Sequence, residues 1–162
     1  MKNLATFLSN LFTRDHNRYE GVRPIQVYLL RLVFLLTFVF LGMGSWSTIL
    51  GHTGDWKPLN AIAFSVWAAY STLSFLGILK PLKMLPIIAF QVFYKTVWLV
   101  IVAYPLWSSG MLTGSDAEQM TKDFMWIVLP IVAMPWGHFF KSFIRSNAAN
   151  ASREVHALPA QN

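Results

Sequence analysis

The chain has 162 residues, of which 55% are hydrophobic and only 12% are charged. Soluble domains carry about 25% charged residues, so this composition excludes an ordinary soluble domain and indicates a membrane protein. The absence of cysteine excludes disulfide bonds, Cys-ligated zinc, iron–sulfur clusters and thiol catalysis. The formal net charge is +6, but the positions of the charges indicate membrane topology and not nucleic-acid binding.

The first 24 residues are predicted to form a cytoplasmic amphipathic segment. Its apolar residues recur at the spacing of a short helix that lies on the membrane surface. These residues are Leu4, Phe7, Leu8, Leu11 and Phe12. The first long hydrophobic run begins too late and is too long for a cleaved signal peptide, so we interpret it as an uncleaved signal anchor.

Four long apolar segments account for most of the remaining chain. They are residues 27–50, 58–79, 84–107 and 124–144. Each is long enough for a helix to cross a hydrocarbon core of about 30 Å. Residues 25–145 are therefore predicted to form an all-α, integral membrane bundle of four transmembrane helices. Residues 146–162 are small, polar and aperiodic, which is typical of a flexible cytoplasmic tail.

The distribution of lysine and arginine predicts that both termini lie in the cytoplasm. Ten of the 13 basic residues lie on the side of the termini, and only Lys57 and Lys122 lie on the other side. The ten are Lys2, Arg14, Arg18, Arg23, Arg31, Lys80, Lys83, Lys141, Arg145 and Arg153. Cytoplasmic loops of membrane proteins are enriched in lysine and arginine, which fixes the predicted orientation.

Two further patterns concern the packing of the helices. The second span carries small residues at spacings of three and four, which predicts a face where helix backbones approach closely. This series is Ala61, Ser65, Ala68, Ala69 and Thr72. In the fourth span, Pro130 and Pro135 each remove an amide donor, and both are expected to kink the helix.

The most informative residue is Lys95, which lies near the middle of the third span and therefore near the bilayer midplane. Gln91 lies one turn before it and Trp98 one turn after it, so the three share a helix face. Tyr70 in the second span has a matching depth. Because the four predicted spans contain no aspartate or glutamate, the lysine is neutral, sees water, or meets an anionic or carbonyl-bearing ligand.

Three interpretations of Lys95 stay open from the sequence. The amine is held by hydroxyl groups, backbone carbonyls and a water molecule, and serves only helix packing. Alternatively, it belongs to a ligand or ion site, or it reaches a lipid headgroup or a subunit boundary.

Two more basic side chains are candidate site residues near the cytoplasmic ends of the spans. Arg31 lies about two turns inside the first span and can extend to lipid phosphates. His138 lies about one turn inside the fourth span, where an interfacial histidine is common. If Arg31 turns inward, the two residues would line a cytoplasmic mouth.

No catalytic or metal-binding pattern is recognisable. His52 lies in the outer connection and His138 near the inner face, so the two cannot share a haem or a metal ion within one bundle. The sequence also has no phosphate-binding glycine loop, no serine elbow and no pair of intramembrane carboxylates. A catalytic role would therefore rest on Lys95 alone, and a non-enzymatic role is favoured.

Parts of the first and third spans resemble the DoxX-like class of small, four-helix bacterial membrane proteins. The first span has Arg31 in LRLVF and leaves through FLGMGSW, with Gly42 and Gly44. The segment FQVFYKTVW, Phe90–Trp98, is similar to third helices of this class. The resemblance implies a multi-pass protein of the bacterial inner membrane, and some members are subunits linked to quinone-dependent oxidoreductases. The second span departs from the class because it has no acidic residue.

The sequence leaves three functions open. The first is a non-catalytic subunit or accessory factor with a ligand notch at Lys95. The second is a quinone-binding membrane subunit, in which Lys95 or Gln91 would donate to a quinone carbonyl and Trp98 would stack on the ring. The third is a small oligomeric transporter or anion pathway. The expected partners are the lipid bilayer and either another membrane protein or further copies of the chain, with no nucleic acid and no metal.

Overall fold

Regular secondary structure is entirely helical in the part of the chain that the computed structural model describes, residues 19–145. The predicted all-α class is therefore confirmed for this range. The apolar residues of the predicted amphipathic segment and the predicted tail, residues 146–162, lie outside the described residues.

Three helices are long and apolar enough to cross a membrane. We name them α1 (Pro24–Gly51), α2 (Pro58–Leu79) and α3 (Leu85–Ser108). Each has a proline at its first or second position, where the missing amide is not needed and the fixed φ angle suits a helix. Short π-helical turns interrupt α1 at Thr37–Leu41 and α3 at Leu99–Ala103. The ends of the helices lie within three residues of the corresponding predicted spans.

The fourth apolar segment is a broken helix. It consists of α4 (Ala117–Met125), α5 (Val128–Ala133) and α6 (Trp136–Phe139), followed by a π-helical segment at Phe140–Arg145. The parts before and after the break differ in direction by 72°. Met134 has an extended backbone there, because the ring of Pro135 disfavours helical geometry at the residue before it. The described chain thus has three candidate spans, or four if this bent pair is one span.

Helix α4 begins seven residues before the fourth apolar segment of the sequence. It contains Glu118, Lys122 and Asp123, which hydropathy alone assigns to the preceding connection. Their helix is amphipathic, because Thr121 and Phe124 on its other face are buried in the bundle. The structure therefore places charged residues on a helix that packs beside α3.

The apolar core lies where α1, the beginning of α3 and the end of α5 meet. Its fully buried side chains are Leu30, Val33, Phe34, Leu85, Ile88, Ala133 and Met134. Phe139 and Phe143, beyond the break, are partly buried against the same cluster. The chain after Pro135 therefore folds back on the end of the bundle that holds the start of α3.

Helices α1 and α2 pack closely through small residues. The buried small residues of α2 are Ala68, Ser71, Ser74 and Gly77, so the packing face has a regular spacing of three. Of the small-residue series predicted from the sequence, Ala68 is buried, whereas Ser65, Ala69 and Thr72 are exposed. Gly77 lies so close to the ring of Phe34 that a Cβ atom at this position would overlap it.

Much of the surface of the long helices is apolar. In the most apolar 18-residue stretch of each long helix, only 17% to 33% is buried inside the chain. Large side chains such as Phe40 and Phe93 are each 72% exposed. Such a surface matches lipid or another apolar chain better than it matches water.

Candidate functional site

Lys95 lies near the middle of α3, with its amine over an aromatic ring. The Nζ atom is 5.3 Å from the centre of the Phe124 ring, which is within the range of a cation–π interaction. Phe124 belongs to α4 and is 6% exposed. The contact therefore joins the middle of the third long helix to the fourth, broken one.

Two further rings of α3 contact Phe124. The ring centres of Trp98 and Phe124 are 5.0 Å apart, and those of Tyr94 and Phe124 are 5.5 Å apart. Both pairs meet edge to face, as the charge distribution of aromatic rings favours. We refer to Gln91, Tyr94, Lys95, Trp98 and Phe124 as the Lys95 notch.

Tyr70 joins the notch through Tyr94 and not through Lys95. The hydroxyl oxygens of Tyr70 and Tyr94 are 3.0 Å apart and form a hydrogen bond in which either can donate. Tyr70 is 6% exposed, so this bond satisfies a buried polar group of α2. Sequence reasoning missed Tyr94, because a residue next to Lys95 points to a different side of the helix. The aromatic residues directly before the lysine in the sequence, Phe93 and Tyr94, are the signal that could have indicated it.

Gln91 is the second polar side chain of the notch, one turn before Lys95. It is 7% exposed, and its side chain has no hydrogen bond to another described residue. The Lys95 amine likewise has no hydrogen bond, and no ion pair of 4.0 Å or less, within the described part of the chain. Amide and ammonium groups are hydrogen-bond donors, so the notch presents unused donors among aromatic rings.

Asp123 precedes Phe124 on α4 and is exposed. Its carboxylate forms no ion pair of 4.0 Å or less with Lys95. The Oδ1 atom of Asp123 accepts a hydrogen bond from Gln119 Nε2 at 3.1 Å, within α4.

Arg31 lies at a different level of the bundle. It is half-buried on α1, and its Nε atom is buried without a hydrogen-bond partner within residues 19–145. Its neighbour Leu30 shares the core with Ile88 of α3, which is about two helical turns before Lys95. The structure therefore places Arg31 near the start of α3 and apart from the notch.

His138 lies on α6, beyond the break in the fourth segment. Its Nε2 atom is 3.5 Å from Glu20 Oε2 and 3.4 Å from the hydroxyl of Ser142. Glu20 has a φ angle of 53°, which is uncommon for a residue other than glycine. His138 is thus connected to the segment before α1, and the mouth shared with Arg31 stays a prediction.

The notch is suited to binding through hydrogen bonds, positive charge and ring contacts. Within residues 19–145, no group of three or more histidine, cysteine, aspartate or glutamate residues could hold a metal ion. His52 stacks on Trp56 with ring centres 3.7 Å apart, in the connection between α1 and α2. The structure therefore brings together Gln91, Lys95 and Trp98, and it adds Tyr94 and Phe124.

Comparisons of the chain with protein-family models, with curated proteins and with solved structures found no match. The resemblance to the DoxX-like class therefore stays a prediction from the sequence.

Proposed function

We propose that the protein is a multi-pass protein of the bacterial inner membrane, with four crossings and both termini in the cytoplasm. The length of α1, α2 and α3 and the apolar surface of the helices support insertion. The excess of lysine and arginine on the side of the termini supports the orientation. Fusions of alkaline phosphatase and of green fluorescent protein to each terminus test it. Fluorescence without phosphatase activity at both ends is expected, and phosphatase activity at either end would contradict the topology.

Within that membrane domain, we infer that the Lys95 notch binds a ligand with a carbonyl or anionic group, and that the protein acts as a non-catalytic subunit or accessory factor. The observation that carries this proposal is the Lys95 amine above Phe124, without a hydrogen-bond partner in the described chain. A charged amine at the middle of a span costs about 2.5–3.5 kcal/mol on insertion scales. An acceptor group on a ligand would offset this cost, and Gln91 would provide a second donor.

Binding is the role that these side chains support best. Gln91 and Lys95 can donate hydrogen bonds, and Trp98 and Phe124 offer ring surfaces and edges. Together they can hold and orient a molecule that has both an acceptor and a flat apolar part. The notch does not combine a nucleophile with a hydrogen-bonded base, the arrangement that most covalent catalysis requires.

Native mass spectrometry of gently purified protein tests the ligand, with parallel solvent extraction of lipids and quinones. We expect wild-type protein to retain a specific small molecule that Lys95→Met loses while the variant stays folded. The matched control is Lys57→Met, which removes an exposed lysine outside the notch. Equal retention by all three proteins, or no retained molecule in any, would contradict the proposal. A wild-type protein that is stable only in complex with another polypeptide, unaffected by Lys95→Met, would also contradict it.

A quinone is the second candidate, and the arrangement of rings and donors favours it over a simple anion. Trp98 and Phe124 meet edge to face 5.0 Å apart, beside the two unused donors. A quinone has two carbonyl acceptors on a flat ring, which matches such a site. If the second candidate is correct, a quinone will be in the extract from wild-type protein and absent after Lys95→Met. A lipid or another anion in its place would support the notch and exclude the quinone.

A further inference from the structure

Three basic residues lie at one end of the contact between α1 and α2. Phe34 of α1 lies directly against Gly77 of α2. The helices run in opposite directions, since contacts nearer the start of α2 involve residues nearer the end of α1. Arg31 comes three residues before Phe34, and Lys80 comes three residues after Gly77. Both therefore lie about one turn beyond this contact, on the same side of it, and Lys83 follows in the connection to α3.

The guanidinium group of Arg31 carries donors that the described chain leaves unused. Its Nε atom is buried without a partner, and its side chain makes no hydrogen bond or ion pair within residues 19–145. A guanidinium group has five N–H donors in a planar fork, and burial of unpaired donors is costly. Two oxygens of a phosphate or carboxylate group match this fork. An anionic acceptor from outside the described chain would therefore satisfy Arg31.

The described chain offers no carboxylate to these three basic residues. At this end of the bundle, the acidic side chain within residues 19–145 is that of Glu20, which lies 3.5 Å from His138 Nε2. The other described acidic residues belong to the connection between α1 and α2 or to the region of α4. They are Asp55, Asp116, Glu118 and Asp123. This end therefore has an excess of positive charge, which attracts anions.

A pair of exposed rings marks the same end of the bundle. Met134 shares the core with Leu30, the residue before Arg31, and the chain turns by 72° directly after it. The rings of Trp136 and Phe140 then stack with their centres 6.0 Å apart, and the two residues are 36% and 49% exposed. Exposed tryptophan rings are enriched at the level of lipid headgroups. A lipid phosphate is therefore the anion expected near Arg31.

We propose that Arg31, Lys80 and Lys83 bind the phosphate group of an anionic phospholipid. The fork of Arg31 holds phosphate oxygens, and the two exposed lysines add electrostatic attraction. In the proposed topology the site faces the cytoplasmic leaflet, whose surface potential is negative. The inference rests on the proposed membrane insertion, but it concerns a different site and a different ligand from the Lys95 notch.

Native mass spectrometry of delipidated protein in detergent tests the site, with phosphatidylglycerol as the anionic probe and zwitterionic phosphatidylcholine as its control. We expect the wild-type protein to bind phosphatidylglycerol more tightly. Arg31→Gln is expected to weaken that binding about tenfold or more, because hydrogen bonds between charged groups are lost. Lys57→Gln removes an exposed lysine at the other end of the bundle and should bind like wild type. Equal affinity for the two lipids, or unchanged binding by Arg31→Gln, would overturn the proposal.

A second variant avoids the half-buried arginine, whose replacement affects packing as well as charge. Lys80→Gln combined with Lys83→Gln changes exposed side chains. This double variant is expected to weaken phosphatidylglycerol binding about fivefold or more, since each basic group near an anionic lipid surface contributes to the attraction. Melting temperatures measured in parallel separate lost binding from lost fold. Unchanged binding in the double variant would overturn the three-residue site.

Inorganic phosphate distinguishes a lipid headgroup from a free anion. An excess of inorganic phosphate is expected to leave phosphatidylglycerol bound, because its acyl chains also lie against the apolar surface of the helices. Complete displacement of the lipid by phosphate would overturn the lipid as the occupant.

The test of the Lys95 notch and the test of this site can fail separately. Lys95→Met is expected to keep the phospholipid, and Arg31→Gln is expected to keep the ligand of the notch. Loss of phosphatidylglycerol in a folded Lys95→Met variant would place the lipid in the notch and overturn the site at Arg31.

Discussion

The contact between α1 and α2 and the contact between α3 and α4 are built on opposite principles. The first is close, with the ring of Phe34 directly against Gly77. Its buried hydroxyls at Ser71 and Ser74 bond to carbonyls of their own helix. The second contact has large rings, a half-buried lysine and side-chain donors without partners. We therefore expect the first contact to contribute most to stability, and we assign the proposed ligand binding to the second.

The largest expected effect on stability comes from removing a buried side chain from the α1–α2 contact. Phe34→Ala removes a fully buried ring from the core, and we expect a loss of about 3–5 kcal/mol of unfolding free energy. Chemical or thermal unfolding in detergent measures it. Phe93→Ala, at a ring that is 72% exposed, is the matched control and should cost much less. Similar losses for both variants would show that the α1–α2 contact is not the main source of stability.

Overfilling the same contact is expected to have the next largest effect. A Cβ atom at Gly77 would overlap Phe34, so Gly77→Ala should destabilise the protein by about 1–3 kcal/mol. Gly44→Ala is the control, since a Cβ atom at Gly44 meets nothing within 4 Å. Alanine favours a helix over glycine, so the control variant should be neutral or slightly more stable. A stable Gly77→Ala variant would contradict the close approach of the two helices.

A smaller effect is expected where α2 meets the Lys95 notch. Tyr94→Phe removes one partner of the hydrogen bond to Tyr70, and a typical net loss is about 0.5–1.5 kcal/mol. Unfolding measurements together with native mass spectrometry check this prediction. The contact between Lys95 and Phe124 stays in the variant, so ligand retention should not change. Loss of the ligand in Tyr94→Phe would extend the binding role to the tyrosine pair.

The smallest effect is expected at the edge of the α1–α2 contact. Trp46 Nε1 donates to Thr72 Oγ1 at 3.1 Å, across the two helices. Trp46 is 44% exposed, so another hydrogen-bond partner can take its place beside Thr72 when the bond is lost. Trp46→Phe should therefore cost about 0.5 kcal/mol, at the low end for a hydrogen bond. A loss as large as that of Gly77→Ala would show that this edge belongs to the close α1–α2 contact.

The three long helices and part of the site could be predicted because they depend on spacing along one helix. Gln91, Lys95 and Trp98 share a face of α3 through intervals of four and three residues. The start of α4 could not be predicted in the same way. Glu118 and Asp123 lower the local hydropathy, and only burial of the opposite face of that helix shows that it packs within the bundle.

The sequence by itself determined an all-helical chain with long apolar helices, a proline break in the fourth segment and an isolated lysine in the third. Each of these depends on residues that are near in the chain, through hydropathy, helical period or the geometry of proline. Only the tertiary structure decided which ring lies under Lys95 and which tyrosine bonds to Tyr70. Those contacts join different helices, whose relative rotation and depth are set by the packing of side chains such as Phe34 on Gly77.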